Sequence, residues 1–408
     1  MSRDRLVTCV SLTVLACAAC GDQDVAPAAG VPSGPLSGFE QLVPFATPLE
    51  GAPTQPANNN LDVVSVDGSV LLAFRTAPTH FASDKTQIHV VREEPRGVWT
   101  PEATFSLGTD VREPRFLDVG GRTFLYFAVL GKDPLAFEPQ GARVSERLGP
   151  GHWTEPEPIF ADGFIPWRGR VVGGRSTVIG YVGGENIYEP TGEPLEVSWL
   201  ATDDGRTFEP VVPGHAVVLV GGTSETDFAI RDDGSLVAVA RNEAGDADGW
   251  GSKICTADAS ALGDWTCASD KKKYDSPLVF RSGSDVYLVG RRNLTDTGNY
   301  DLDRDDLPPI EQTQTYEVTY SFQPKRCSLW RVDAATRSVA FVLDLPSRGD
   351  TCFASALEVG PGELEIYNYS NRLDGEDCPS YPEDCEDYSW IEGQGLPTII
   401  YRVRLSLP

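Results

Sequence analysis

Residues 226–241 read TDFAIRDDGSLVAVAR, two β-forming runs either side of an Asp-Gly turn, the second ending in arginine. This pattern predicts a hairpin, because the turn needs positive φ and the flanks favour a pleated surface. Moving outward, the pattern recurs in LDVVSVDGSVLLAFR (61–75), EPRFLDVGGRTFLYFA (113–128) and WRGRVVGGRSTVIGYVG (167–183). It returns again in SPLVFRSGSDVYLVGR (276–291) and CFASALEVGPGELEIYNYS (352–370). Further strand pairs lie between these units, TQIHVVREE (86–94) and CSLWRVDAATRSVAFVLDL (327–345) among them.

The 40 glycines and 31 prolines come too often for long helices, and no long helical periodicity is present. Six repeats of roughly four strands each predict an all-β chain folded as a six-bladed β-propeller with four-stranded antiparallel blades. A five-bladed ring is the alternative. The formal charge of −26 repels phosphate backbones, so no nucleic-acid partner is expected. The only long apolar run is N-terminal, so no later helix should span a membrane.

MSRDRLVTCVSLTVLACAAC (1–20) has a basic start at Arg3 and Arg5, an apolar run and small residues leading to cysteine. That is the build of a secretory signal. VLAC ending at Cys17 and CAAC ending at Cys20 both resemble bacterial lipoprotein processing sites, so either cysteine is a candidate lipid anchor. Residues 21–58, rich in Ala, Pro, Gly and Asn, read as a disordered tether, with the propeller over 59–408. An exported protein of the cell envelope, or a secreted one, is expected. Of nine cysteines, six lie beyond residue 20. An even number in an exported chain implies disulfides. Spacing suggests Cys255–Cys267 and Cys378–Cys385, with Cys327–Cys352 by elimination, among fifteen formal pairings. No CxxC or His cluster suggests zinc. NYDLDRDDLPPIE (299–311) resembles half a calcium loop through Asp301, Asp303 and Asp305 but lacks the Gly and the closing Glu. It reads as a solvated inter-strand loop, and neither a metal nor a cofactor is expected.

ATDDGRTF (201–208) matches the Asp-box pattern S-x-D-x-G-x-T-W/F with Ala201 for Ser, then Asp203, Gly205, Thr207 and Phe208. Its role is a hairpin turn. Together with the strand-end arginines, it makes the chain resemble the sialidase (neuraminidase) superfamily, and bacterial sialidase-like propellers of unassigned specificity in particular. The motifs carrying the resemblance are AFRTAPTHFASD (73–84), SETDFAIRDDGSLVAVARNE (224–243), VYLVGRRN (286–293) and GDTCFASALEVGPGELEIYNYS (349–370).

The resemblance implies arginines that grip a substrate carboxylate, a Tyr nucleophile, a Glu that activates it and an Asp that protonates the leaving oxygen. By position, Glu225 is the base and Asp84 the acid. Arg75, His80, Arg241, Arg291 or Arg292, and Tyr369 are substrate contacts. Two departures stand out. Asp62, in LDVV, occupies the place of the family's first arginine, and Phe353 falls where the nucleophilic Tyr should be. Tyr367 or Tyr369 would have to substitute from the next strand.

A glycosidase using carboxyl groups alone remains open. Asp62, Glu113 and Glu225 begin three repeats, and inner-strand starts face a propeller's channel; inverting hydrolysis sets such groups roughly 6.5–9.5 Å apart. The expectation is therefore a glycan-binding central pocket, with hydrolysis of a neutral sugar ahead of sialic acid. The alternative is a cell-surface binding or scaffolding propeller without catalysis.

Overall fold

The computed structural model describes residues 35–94, 97–134, 136–188, 193–373 and 387–408, all within the unit Pro35–Pro408. The expected signal, the lipidation cysteines Cys17 and Cys20 and the Cys378–Cys385 pair lie outside these residues. Among the described residues the strands form six sheets, arranged as the blades of a six-bladed propeller.

From the channel outward, the first blade is Ala57–Val66, Ser69–Ala77, Gln87–Glu94 and Val98–Phe105. The next four blades begin with the inner strands Asp110–Val119, Ile165–Val172, Thr223–Ile230 and Leu278–Ser282. The sixth runs Ser355–Gly360, Glu363–Asn371, Thr398–Ser406, and its outermost strand is Leu36–Val43, from the other end of the chain. Leu36–Val43 pairs antiparallel with Thr398–Ser406 and closes the ring. The tether expected over 21–58 thus reaches too far, because residues from 36 onward already pair into the last blade.

Each blade is packed on both faces, which is why its second strand reads as an unbroken apolar run rather than an alternating one. Leu236 to Ala240 are all buried. Between blades one and two, Leu71, Ala73, Ile88 and Val90 pack against Phe116, Leu125 and Phe127. Two expected disulfides are present. Cys255–Cys267 staples facing positions of the fourth blade's outer strands, and Cys327–Cys352 ties the fifth blade to the sixth.

In the Asp-box turn, the side chain that bonds the backbone is Asp204, not Asp203. Its Oδ1 accepts from the amides of Arg206 (2.7 Å) and Thr207 (2.6 Å), which holds the carboxyl well below its usual range. Gly205 has φ +78°, and a Cβ there would meet the Phe124 ring at 2.6 Å, so this glycine is required twice over.

Three helices occur among the described residues: α1 (Glu185–Tyr188), α2 (Pro309–Ser321) and α3 (Trp390–Gln394). None is long and apolar enough to cross a membrane. Helix α2 begins inside the 299–311 stretch that reads as a solvated loop and corrects that reading over residues 309–311. Pro309 is compatible with a first helical turn, and Gln312, Tyr316 and Tyr320, four apart, form its buried face. All three helices lie in connections between the second and third strands of a blade. The turns joining first to second strands are short, and they lie at the opposite end of the ring.

Candidate functional site

In the first four blades the inner-strand register slips near the channel mouth, between Asn59 and Leu61, Arg112 and Arg115, Pro166 and Arg168, and Thr223 and Thr226. Such bulges re-aim a side chain. The residues they turn inward are Asn60, Glu113, Trp167 and Glu225, with Ser276 and Phe353 equivalent in the last two blades. Asn60 (φ 41°), Glu113 (φ 58°) and Ser276 (φ 53°) adopt the left-handed conformation, which costs a non-glycine residue about 1–2 kcal/mol. Five of these six residues line one cavity of about 450 Å³; Trp167 instead packs edge-on to Phe353, at 5.3 Å.

The second strands contribute a matching ring of positions: Arg75, Arg241, Arg291 and Tyr369 in blades one, four, five and six. Arg241, Arg291 and Tyr369 line the cavity, as do His80 and Arg112. The sequence reading therefore finds Glu225, His80, Arg241, Arg291 and Tyr369 together.

Four expected site residues do not line the cavity. Arg75 is fully buried in the seam with blade two, where it bonds Asp110 (3.0 Å) and the Phe81 carbonyl (3.0 Å). Asp62 lies beneath the floor, accepting from the Phe116 amide (2.8 Å) and the Ser355 hydroxyl (2.6 Å). Asp84 is exposed on a loop outside the cavity. Arg292 points to the other face of its strand and forms a two-pronged pair with Asp344 (3.0 and 2.6 Å).

Glu225 is anchored at both oxygens, by the Ser276 amide (2.7 Å) and by Arg241 (3.1 Å). Burial pushes its carboxyl up to about 7; Asp275 and Glu113 add to the shift and Arg241 opposes it. Glu113 is also raised by burial, against the pull of Arg115 and Arg112. One Glu113 oxygen accepts from Asn60 at 3.3 Å, while the other is buried with no protein partner. His80 donates to Asp350 (2.7 Å), and burial lowers its pKa although Asp350 opposes that shift. Tyr369 (2.9 Å) and Trp390 (3.1 Å) donate to the other Asp350 oxygen.

Each cavity guanidinium is already paired: Arg241 with Glu225 and Glu243 (3.0 Å), Arg291 with Asp275 (2.9 Å), and Arg112 with Asp110 (2.7 Å). The walls are aromatic, including Tyr181, Tyr188, Phe353 and Trp390. Paired charges with aromatic faces suit a polyhydroxylated ligand better than an anion. Arg112, Glu317, Tyr188 and Trp390 were not anticipated. Arg112 could have been found beside Glu113, and Glu317 through the 312–316–320 helical spacing.

No protein-family profile matches the sequence, and no curated protein matches it significantly. Solved structures do resemble it. A protein of unknown function from Dyadobacter fermentans aligns over 86% of this chain and 95% of its own, at 15% identity and TM-score 0.56. Trypanosoma rangeli sialidase, in complex with sialic acid, aligns over 92% of this chain at 13% identity and TM-score 0.57; the chain spans 59% of that protein's length. The phage phi92 endosialidase aligns over 88% of this chain and 68% of its own, at 10% identity and TM-score 0.53. At these identities the likeness is one of fold, and the fold is that of a sialidase-like six-bladed propeller.

Proposed function

We propose that this sialidase-like propeller binds a neutral glycan in its central cavity and hydrolyses the glycosidic bond with carboxyl groups. The observation that carries the reading is the convergence of Glu113 and Glu225, from two blades, in one aromatic-walled cavity. The unpartnered Glu113 oxygen offers a hydrogen-bonding site for a sugar hydroxyl. In the hydrolytic step water attacks the anomeric carbon and Glu225 takes its proton, a role suited to a carboxyl poised near neutral pH. A sugar carboxylate would have to draw a guanidinium away from its own partner. Leaving a buried partner unpaired costs about 3–5 kcal/mol, which favours neutral sugars over sialic acid.

A second reading, a binding propeller without turnover, is favoured by Phe353. It stands where the sialidase resemblance places a tyrosine, and Trp167 and the Arg115 guanidinium (4.2 Å) pack against it. Under either reading we place the protein outside the cytoplasm, lipid-anchored through Cys17 or Cys20. The N-terminal pattern and the two disulfides support that placement. A panel of chromogenic neutral glycosides and sialosides tests the function. We expect neutral glycosides to be cleaved, Glu225→Gln to lower kcat/KM at least ~100-fold, and sialosides to stay intact. Turnover indifferent to Glu225→Gln would remove that residue from the chemistry. Sugar binding without turnover would establish the second reading.

A further inference from the structure

Helix α2, inserted between the second and third strands of the fifth blade, carries Glu317 onto the cavity wall. Tyr300 Oη lies 2.6 Å from Glu317 Oε1, and Lys273 Nζ lies 3.3 Å from the same oxygen. Behind it, Glu243 bonds Lys273 directly and takes Arg241 at 3.0 Å on its other oxygen. The contiguous ion-pair network thus holds four carboxyl groups (Glu225, Glu243, Asp275 and Glu317) against three cations (Arg241, Lys273 and Arg291). Lys325, behind Tyr320, adds no fourth cation near neutral pH, because burial and the charges of Arg291 and Lys273 push its amine down to about 6.

A buried network with one surplus carboxylate is relieved by holding a proton. Glu243 has both close cations, so the proton resides on Glu317, whose side chain is 14% exposed toward the cavity. Burial and the Glu243 charge push Glu317 up to about 8, while Arg241 and Lys273 hold Glu243 down to about 2 against burial.

We propose that Glu317 is the proton donor of the site, the part that Asp84 is too far outside the cavity to play. The inference rests on the hydrolytic reading above. As the bond between the anomeric carbon and the glycosidic oxygen breaks, its electron pair goes to that oxygen, which takes the Glu317 proton. Water forms the new bond to the anomeric carbon and gives its proton to Glu225. Proton exchange with solvent in the cavity then restores both carboxyl groups.

The test compares Glu317→Gln with wild type on the methyl and 2,4-dinitrophenyl glycosides of whichever sugar the wild type cleaves fastest. A methyl leaving group needs a proton and a dinitrophenolate does not. We expect kcat/KM to fall about 10²–10⁴-fold on the methyl glycoside and less than about threefold on the dinitrophenyl one, with loss of the alkaline limb of the pH profile. Tyr300→Phe removes a hydrogen bond that lowers the Glu317 pKa, so it should move that limb to higher pH with the helix intact. Equal losses on both glycosides, or no loss on either, would overturn the assignment of Glu317 while leaving the hydrolytic reading in place. A wild type that cleaves no glycoside would overturn both.

Discussion

Asp62, Arg115 and Asp227 stand two residues below Asn60, Glu113 and Glu225 on the same inner strands, and side chains two apart on a strand share a face. The upper layer opens on the cavity; the lower layer is consumed in stitching blades together. Asp227 takes Arg170 (2.5 Å) and the amides of Phe228 (2.8 Å) and Val279 (2.7 Å). Arg168, on the third blade, donates to the carbonyls of Pro277 (3.0 Å) in the fifth blade and Ala354 (2.9 Å) in the sixth. In the upper layer, by contrast, Glu113 keeps an oxygen free and adopts a left-handed backbone. One step along a strand therefore separates a charge that holds the ring together from one available to a ligand. The left-handed backbone at Asn60 and Glu113 marks the second kind.

The sharpest way to break this contrast is to empty one position in each layer. Asp227→Ala should destabilise the protein by about 3–5 kcal/mol in urea or thermal unfolding, because it leaves buried guanidinium and amide groups unpaired. Glu225→Gln should stay within about 1 kcal/mol of wild type near neutral pH. Similar losses for the two variants would erase the distinction between the layers.

A smaller effect lies in the pH dependence of stability. Glu225 ordinarily titrates near 4.5 and is raised to about 7 in the folded chain, so the folded state holds the proton more tightly. Its contribution is full below about pH 4.5 and is lost as pH rises through about 7, amounting to about 1–3 kcal/mol. Unfolding curves from pH 4.5 to 8 should show that decline in wild type on top of the one Glu317 contributes up to about pH 8, and Glu225→Gln should make the curve shallower by the Glu225 share. An unchanged slope in the variant would mean that Glu225 is not the group responsible.

The two ends of the propeller also differ in how far the sequence announces them. The first-to-second strand turns, Asp67-Gly68, Gly120-Gly121, Gly173-Gly174 and Gly283-Ser284 among them, carry residues that only tight hairpins demand. They lie away from the cavity, and they made the six-bladed ring legible. The cavity face is built instead from long connections with no repeated chemistry. Glu317 on α2, Trp390 on α3 and Tyr188 on α1 arrive by insertions particular to one blade each, so no internal comparison exposes them. Between these extremes, Glu225, Arg241 and Arg291 were legible because they sit at strand ends whose place in the repeat is fixed. Asp62 and Arg75 occupy comparable strand-end places, yet depth in the channel and the local partners Ser355 and Asp110 turn them to structural use. Leu36–Val43 reads as tether in the sequence because its pairing partner lies at the far end of the chain.

The central claim, that the upper layer is a ligand site, is tested most directly by Glu113→Gly. Glycine accepts φ near 58° without strain and removes a buried carboxyl that pairs only weakly, so stability should be unchanged or higher by about 1 kcal/mol. Calorimetric titration with the best-bound neutral sugar of the glycoside panel should show affinity reduced at least ~10-fold, about 1.4 kcal/mol, in this equally stable variant. Full affinity in Glu113→Gly would contradict the account and place the sugar elsewhere.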